Sequence, residues 1–190
     1  MEKNFTFIAL NLQMMKSLTT LILLTIIGTT AYCQVPDAST VISRAQSEAQ
    51  HQEKNVFVIF HASWCGWCHK MDSAMNDPKV SSYFKDNYVV THLTVLESPQ
   101  KKDLENPGAD KLLAAYHGDK GGIPFWYITD KNGKLLADSR MDKADGTKGD
   151  NVGCPAKADE VEYFMKVLKN TSKMNQNQLD KIKERFLKNS

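Results

Sequence analysis

The stretch VFVIF, residues 56–60, is an unbroken run of β-branched and aromatic side chains. A strand with one wet face alternates apolar and polar residues, so an unbroken run signals a strand covered on both faces. That cover requires helices on each side of a sheet, an α/β architecture. WCGWCHKM, residues 64–71, follows at once, and Gly66 is the only Gly or Pro from Cys65 to Asn76. The chain is therefore expected to pass from strand to helix, with Met71, Ala74 and Met75 on the helix's apolar face. Cys65-x-x-Cys68 sits at the handover.

This motif admits more than one chemistry. Two cysteines at this spacing form a dithiol that cycles through a disulfide, and with His69 they spell the attachment motif of a c-type haem. With His69 and a fourth ligand such as His61 or Cys154 they also suit zinc, although three ligands crowded into one helix cannot complete a tetrahedron unaided. A helix start has unpaired N–H groups and the positive end of the dipole, both of which stabilise a thiolate at Cys65. Bringing a thiol from ~8.5 to ~7 takes about 2 kcal/mol, near the most one helix terminus supplies, so a second donor is wanted. Cys68, one turn on, can hydrogen-bond the thiolate and then attack a mixed disulfide.

The rest of the chain reads as further α/β elements. A helix capped by Asp37 or Ser39 runs to Lys54 with Val41, Ile42, Ala45 and Ala49 at helical spacing. Asp77-Pro78 starts another, carrying Val80, Tyr83 and Phe84. Residues 88–96 are a second strand, and Asn106-Pro107 opens a short helix that stops at His117-Gly118. GGIPFWYITD, residues 121–130, is a third strand, Asn132-Gly133 a hairpin turn and residues 134–139 a fourth strand. Residues 142–155 are expected to form a polar, mobile loop. Helices over Asp159–Lys169 and about Asn175–Lys188 close the chain, the latter with Leu179, Ile182 and Phe186 on one face.

Residues 1–33 differ from the rest. Lys16 precedes the apolar run LTTLILLTII, residues 18–27, and small residues then lead to Ala31-Tyr32-Cys33. This is the pattern of a signal peptide cut between Cys33 and Gln34, with Met14 or Met15 available as the true start. The run falls short of the ~18 residues that a spanning helix needs. Residues 34–190 are then a single exported domain, periplasmic in a Gram-negative bacterium and otherwise secreted or in the cell envelope, where disulfides are permitted. Cys65, Cys68 and Cys154 remain in it, and Cys154, beside Pro155, reads as a semi-buried spare thiol. A formal net charge of +2, with acidic and basic residues interspersed, excludes the basic stripe of a nucleic-acid binder.

VFVIFHASWCGWCHKM resembles the active-site strand and helix of the thioredoxin superfamily, and GGIPFWYITDKNGKLL resembles its cis-proline strand and hairpin. The likeness spans most of residues 38–170 and is nearest the exported, thioredoxin-like branch. It implies a central mixed β-sheet flanked by helices, here with an extra C-terminal helix, and a thiol-disulfide oxidoreductase acting on protein thiols and disulfides. A separate redox partner recharges such a Cys pair, and no diffusible cofactor or metal is implied. It also implies that Cys65, at the exposed lip of the site, attacks, that Cys68, one turn inward, resolves, and that Ile123-Pro124 is cis beside Cys65 in a substrate groove with Trp64, Gly66 and Trp67. Cytochromes c are mostly helical, which sets the haem reading behind; a non-catalytic binding domain on the same fold is the other alternative. Thioredoxin's buried Asp, six residues before the first Cys, is replaced by Ile59, which leaves His61 and His69 as modulators. His61 is expected to pack against Trp64.

Overall fold

The computed structural model describes residues 34–190, so the signal-peptide reading of residues 1–33 lies outside the described residues. Helix α1 (Ala38–Gln52) is capped by Asp37, whose carboxylate accepts the Thr40 N–H at 2.9 Å. Hydrogen bonds from Ser39 and Thr40 hold that carboxyl well down, at about 2. Strand β1 (Asn55–His61) follows, then α2 (Gly66–Met75), α3 (Ser81–Asn87) and β2 (Tyr88–Thr94). A 3-10 turn (Pro99–Leu104) and α4 (Ala109–Ala115) lead to β3 (Phe125–Thr129) and β4 (Leu135–Asp138). Strands β5 (Arg140–Asp142) and β6 (Lys148–Asn151) form a separate hairpin, and α5 (Ala158–Thr171) and α6 (Gln176–Phe186) complete the chain.

The main sheet is mixed, in the order β2-β1-β3-β4, with β1 parallel to β2 and antiparallel to β3. This explains the unbroken apolar run. Val56, Val58 and Phe60 point to a core shared with Ala45 and Ala49 of α1, whereas Phe57 and Ile59 join Met71 of α2, Phe164 of α5 and Phe186 of α6. Each residue from Val56 to Phe60 is at most 1% exposed. The extra C-terminal helix buries its expected stripe, Leu179, Ile182 and Phe186, with the Phe186 ring 4.9 Å from that of Phe164.

Three expectations need correction. The third strand is shorter than residues 121–130 because Gly122 takes a φ of +75° and the Ile123–Pro124 peptide is cis, so pairing starts only at Phe125. Asp77-Pro78 opens a turn before the helix starts at Ser81, and Asp77 C=O accepts the Val80 and Ser81 N–H groups. Residues 142–155 are not a mobile loop. They contain β6, with Asp142 paired to both Lys148 (2.8 Å) and Lys166 (3.1 Å), and residues 152–156 are buried. Non-local bonds hold them, Val152 N–H to Ser139 C=O and Trp126 Nε1–H to Gly153 C=O, both at 2.8 Å. Local polarity gives no sign of such bonds.

Phe57 lies at the centre of the larger core, its ring 5.6 Å from Tyr88, 5.5 Å from Trp126 and 6.4 Å from Phe164. Phe57→Ala should therefore cost about 3–5 kcal/mol, the range for a large aromatic removed from a packed core. Urea unfolding of the oxidised protein measures it; a loss under about 1 kcal/mol is incompatible with this packing.

Candidate active site at the start of helix α2

Beyond His61 the chain turns, with Cys65 N–H donating to Ala62 C=O at 3.0 Å, and Cys65 becomes the N-cap of α2. An N-cap side chain usually offers an oxygen to the first-turn N–H groups. Here Cys65 Sγ takes that place and accepts the Cys68 N–H at 3.1 Å. The two sulfurs are bonded to each other, with S–S 2.06 Å and Cα–Cα 5.2 Å, so the structure is that of the oxidised state. Cys65 is 3% exposed and Cys68 1%. The expected contrast between an exposed lip and an inner thiol is thus absent from the disulfide form, because Ala62 and Ile123 cover both sulfurs. What separates the two is their position on the helix.

The cis Ile123–Pro124 segment lies against the pair, with Ile123 C=O 3.6 Å from Cys65 Sγ. A disulfide sulfur has no proton to donate, so in this state the approach is a packing contact. Asn151 of β6, which sequence reading passed over, ties this segment down. Its Nδ2 donates toward Gly121 C=O (3.1 Å), Gly122 C=O (2.9 Å) and Pro124 C=O (3.1 Å), and its Oδ1 accepts Gly153 N–H. Gly153, at a φ of +61°, lays bare backbone against Pro124. Trp67, Ile123, Pro124, Gly153 and Cys154 line an open cleft of about 470 Å³.

Trp64 is 60% exposed and donates its indole N–H to Leu96 C=O at 2.8 Å. Trp67 is 48% exposed, with Lys70 Nζ 4.2 Å from its ring centroid. Gly66 faces open space, since a Cβ there would meet nothing within 4 Å. Cys154 is more deeply buried than expected, at 5% exposure, and burial pushes its thiol up to about 12. That keeps it protonated and unreactive at neutral pH.

The imidazoles lie on the β2 side of the pair. His61 finds its ring neighbour in His92, 5.0 Å away, rather than in the outward-facing Trp64, and its Nε2 is 3.2 Å from Thr94 Oγ1. His92 in turn pairs with Asp72 of α2 at 2.8 Å. His69 Nε2 must carry a proton, because it contacts the Ser63 carbonyl at 3.0 Å. Ile59 is 1% exposed among apolar side chains, so no carboxylate stands at its position. Among the described residues no group of three or more His, Cys, Asp or Glu is arranged to hold a metal ion.

A family model described as thioredoxin-like matches residues 37–131, half of the chain and the whole span from the α1 cap through the Cys pair to the end of β3. The chain belongs to the thioredoxin-like family. Its closed Cys pair on this frame is that of a thiol-disulfide oxidoreductase, and the mixed sheet is not the mostly helical frame that the haem reading called for. Similar solved structures include a disulphide isomerase from Xylella fastidiosa Temecula1, at 23% identity over 58% of this chain and 79% of that one, TM-score 0.44. The oxidised DsbD C-terminal domain of Neisseria meningitidis aligns at 19% identity over 70% and 98%, TM-score 0.42. A protein titled DsbH oxidoreductase aligns at 19% over 74% and 90%, TM-score 0.42. No curated protein matches the chain.

In this thioredoxin-like protein, burial and then the neighbouring His92 hold His61 below its ordinary value, against the pull of Asp72 and Glu97. A histidine whose folded pKa is depressed takes its proton more readily in the unfolded chain. Its contribution to stability is therefore full above the unfolded value of ~6.5 and is lost as pH falls. Urea unfolding at about pH 7.5 and about pH 5, on either side of that value, should show a smaller difference in His61→Gln than in the parent. An equal difference in both would mean that His61 is not depressed.

Proposed function

We propose that the protein is an exported thiol-disulfide oxidoreductase that exchanges disulfides with protein substrates, with Cys65 as the attacking thiolate and Cys68 as the resolving thiol. The observation that carries this reading is Cys65 at the N-cap of α2, with the Cys68 N–H aimed at its sulfur. That N–H and the helix dipole oppose protonation of Cys65 once the disulfide opens.

In the reductive direction, the Cys65 thiolate attacks one sulfur of a substrate disulfide, forming a mixed disulfide and releasing one substrate thiolate, which takes up a proton. Cys68 then loses its proton and attacks Cys65 Sγ, expelling the second substrate thiolate. Two electrons pass to the substrate and the Cys65–Cys68 disulfide remains. The reverse sequence oxidises a substrate dithiol. Either way a second redox protein must restore the pair, and no diffusible cofactor takes part. The exposed rings of Trp64 and Trp67, the open side of Gly66 and the backbone of Ile123–Pro124 frame the approach of an extended substrate segment. His61 and His69 adjust the proton balance from the β2 side.

Cys68→Ser should accumulate mixed disulfides with partner proteins, because attack survives and resolution does not, whereas Cys65→Ser should trap almost none. Iodoacetamide titration of Cys68→Ser should give a thiol pKa below the unperturbed ~8.5. Equal trapping by both variants, or a Cys65 thiol at the free value, would favour a non-catalytic binding domain instead.

Export rests on the sequence pattern of residues 1–33, and no helix among the described residues is long and apolar enough to cross a membrane. The mature protein is expected to begin at Gln34. Terminal sequencing or intact mass of protein recovered from its native host tests this, and intact Met14 or a lipid on Cys33 rules it out.

A further inference from the structure

The loop after β2 is built in a way that the core does not call for. Glu97 is 4% exposed and makes no salt bridge among the described residues. A buried carboxylate without a cationic partner must be hydrogen-bonded, and both oxygens of Glu97 are spent on one residue. Oε1 accepts Ser63 N–H at 2.5 Å and Oε2 accepts Ser63 Oγ–H at 2.8 Å. The Ser63 carbonyl is taken from the other side by His69, and Lys101 Nζ lies 3.4 Å from Ser63 Oγ. Every polar group of Ser63 is thus engaged.

Trp64, the next residue, is tied by its indole to Leu96 C=O. Leu96 itself has a φ of +55°, a left-handed conformation that a branched side chain adopts at a cost, and it is 47% exposed. Glu97 N–H is held in turn by Glu105 Oε1 at 2.7 Å, and Lys102 neutralises Glu105 at the same distance. A segment that strains and exposes a leucine while burying a carboxylate adds little to the apolar core. What it does is grip the two residues that precede Cys65.

We infer that Glu97 is a positioning residue for Cys65: through Ser63 it fixes the path by which the chain enters α2, and so keeps Cys65 Sγ in front of the first N–H groups of the helix. The inference rests on the proposed thiol-disulfide chemistry. Burial raises the Glu97 carboxyl, and the Ser63 N–H and O–H together with the charges of Lys101 and His61 more than reverse that, holding it below its ordinary value and ionised at neutral pH. Its negative charge opposes a nearby thiolate while its grip favours one. Charge and geometry therefore predict opposite changes, and Glu97→Gln separates them. The substituted amide can still accept the Ser63 N–H through its carbonyl oxygen but carries no charge.

The test uses Glu97→Ala, Glu97→Gln and Ser63→Ala in the full chain. Two readouts apply: insulin disulfide reduction with both cysteines present, and the Cys65 thiol pKa by iodoacetamide titration on a Cys68→Ser background. Glu97→Ala should raise the Cys65 pKa by about one unit, a tenfold loss of thiolate, and slow reduction at pH 7 about tenfold. Glu97→Gln should restore the rate to within about threefold of the parent, with a Cys65 pKa at or below the parent's. Ser63→Ala removes only the Oγ bond, so it serves if Glu97→Ala does not fold, and it should shift the pKa upward by about half a unit. The inference is overturned if Glu97→Ala and Ser63→Ala leave the Cys65 pKa unchanged, or if Glu97→Gln raises it as far as alanine does. A parent protein that fails to reduce insulin would count against the proposed function alone, because the pKa comparison reads the positioning independently.

Discussion

Strand β1 is hydrogen-bonded along both edges and buried on both faces, and the site hangs from its C-terminal end. Its neighbours fix its register, Val56 to Phe60 pairing with residues 89–93 on one side and with residues 129–125 on the other. A slip of one residue would exchange the side chains that meet α1 with those that meet α2 and α5, so the register is strongly specified. Cys65 caps α2 only four residues after His61, which leaves little slack between a strand that cannot slide and a helix start that must face the substrate. Burying five large apolar side chains, at about 1.5–3 kcal/mol each, gives this one strand a large share of the apolar burial that holds the domain together.

The second constraint is electrostatic. A thiolate at the N-cap gains from the helix terminus, but a terminus alone supplies at most about 2 kcal/mol, and only over its first turn. The gain therefore depends on where the sulfur sits to within a fraction of a hydrogen-bond length. Much of the apparatus around the pair supports that placement. Asn151 pins the segment carrying Ile123–Pro124 on one side, and Ser63, held by Glu97 and His69, pins the approach on the other. Neither device touches the sulfurs directly. Each acts by limiting how far the backbone beside them can move.

Much of this frame was legible in the sequence, and the legible parts share one property. The VFVIF run, the Asp37 cap, the Asn132-Gly133 turn and the Leu179, Ile182, Phe186 stripe are local patterns, set by a period or by one residue's backbone preference. So are the two segments that resemble the thioredoxin superfamily. The features that escaped are held from a distance. Asn151 read as one polar residue in a loop, yet its partners lie about thirty residues earlier in the chain. Glu97 followed a strand end with no motif around it, and its partner Ser63 is 34 residues away. His92 was one residue of the strand run 88–96, and only the pairing of β1 with β2 brings it beside His61. Residues 142–155 looked polar and loose because the groups that hold residues 152–155, Ser139, Trp126 and the C-terminal Asn189, come from other elements.

Ile59 stands where the resemblance to the thioredoxin superfamily places a buried Asp. Beneath α2 the sheet is apolar at this point, Ile59 packing with Phe57, Met71 and Ala74. The polar groups lie instead at the end of β1. There His61 lies against His92, and His92 reaches Asp72, so the titratable groups form a line from the sheet edge to the second turn of α2. The His92 ring, 5.0 Å away, opposes a charge on His61. His61 is the member left neutral, with burial holding its pKa down. A buried carboxylate would instead add a negative charge against the thiolate. The polar groups thus sit at the flank of α2, at the ends of β1 and β2, while the apolar side chains around Ile59 fill the space beneath it.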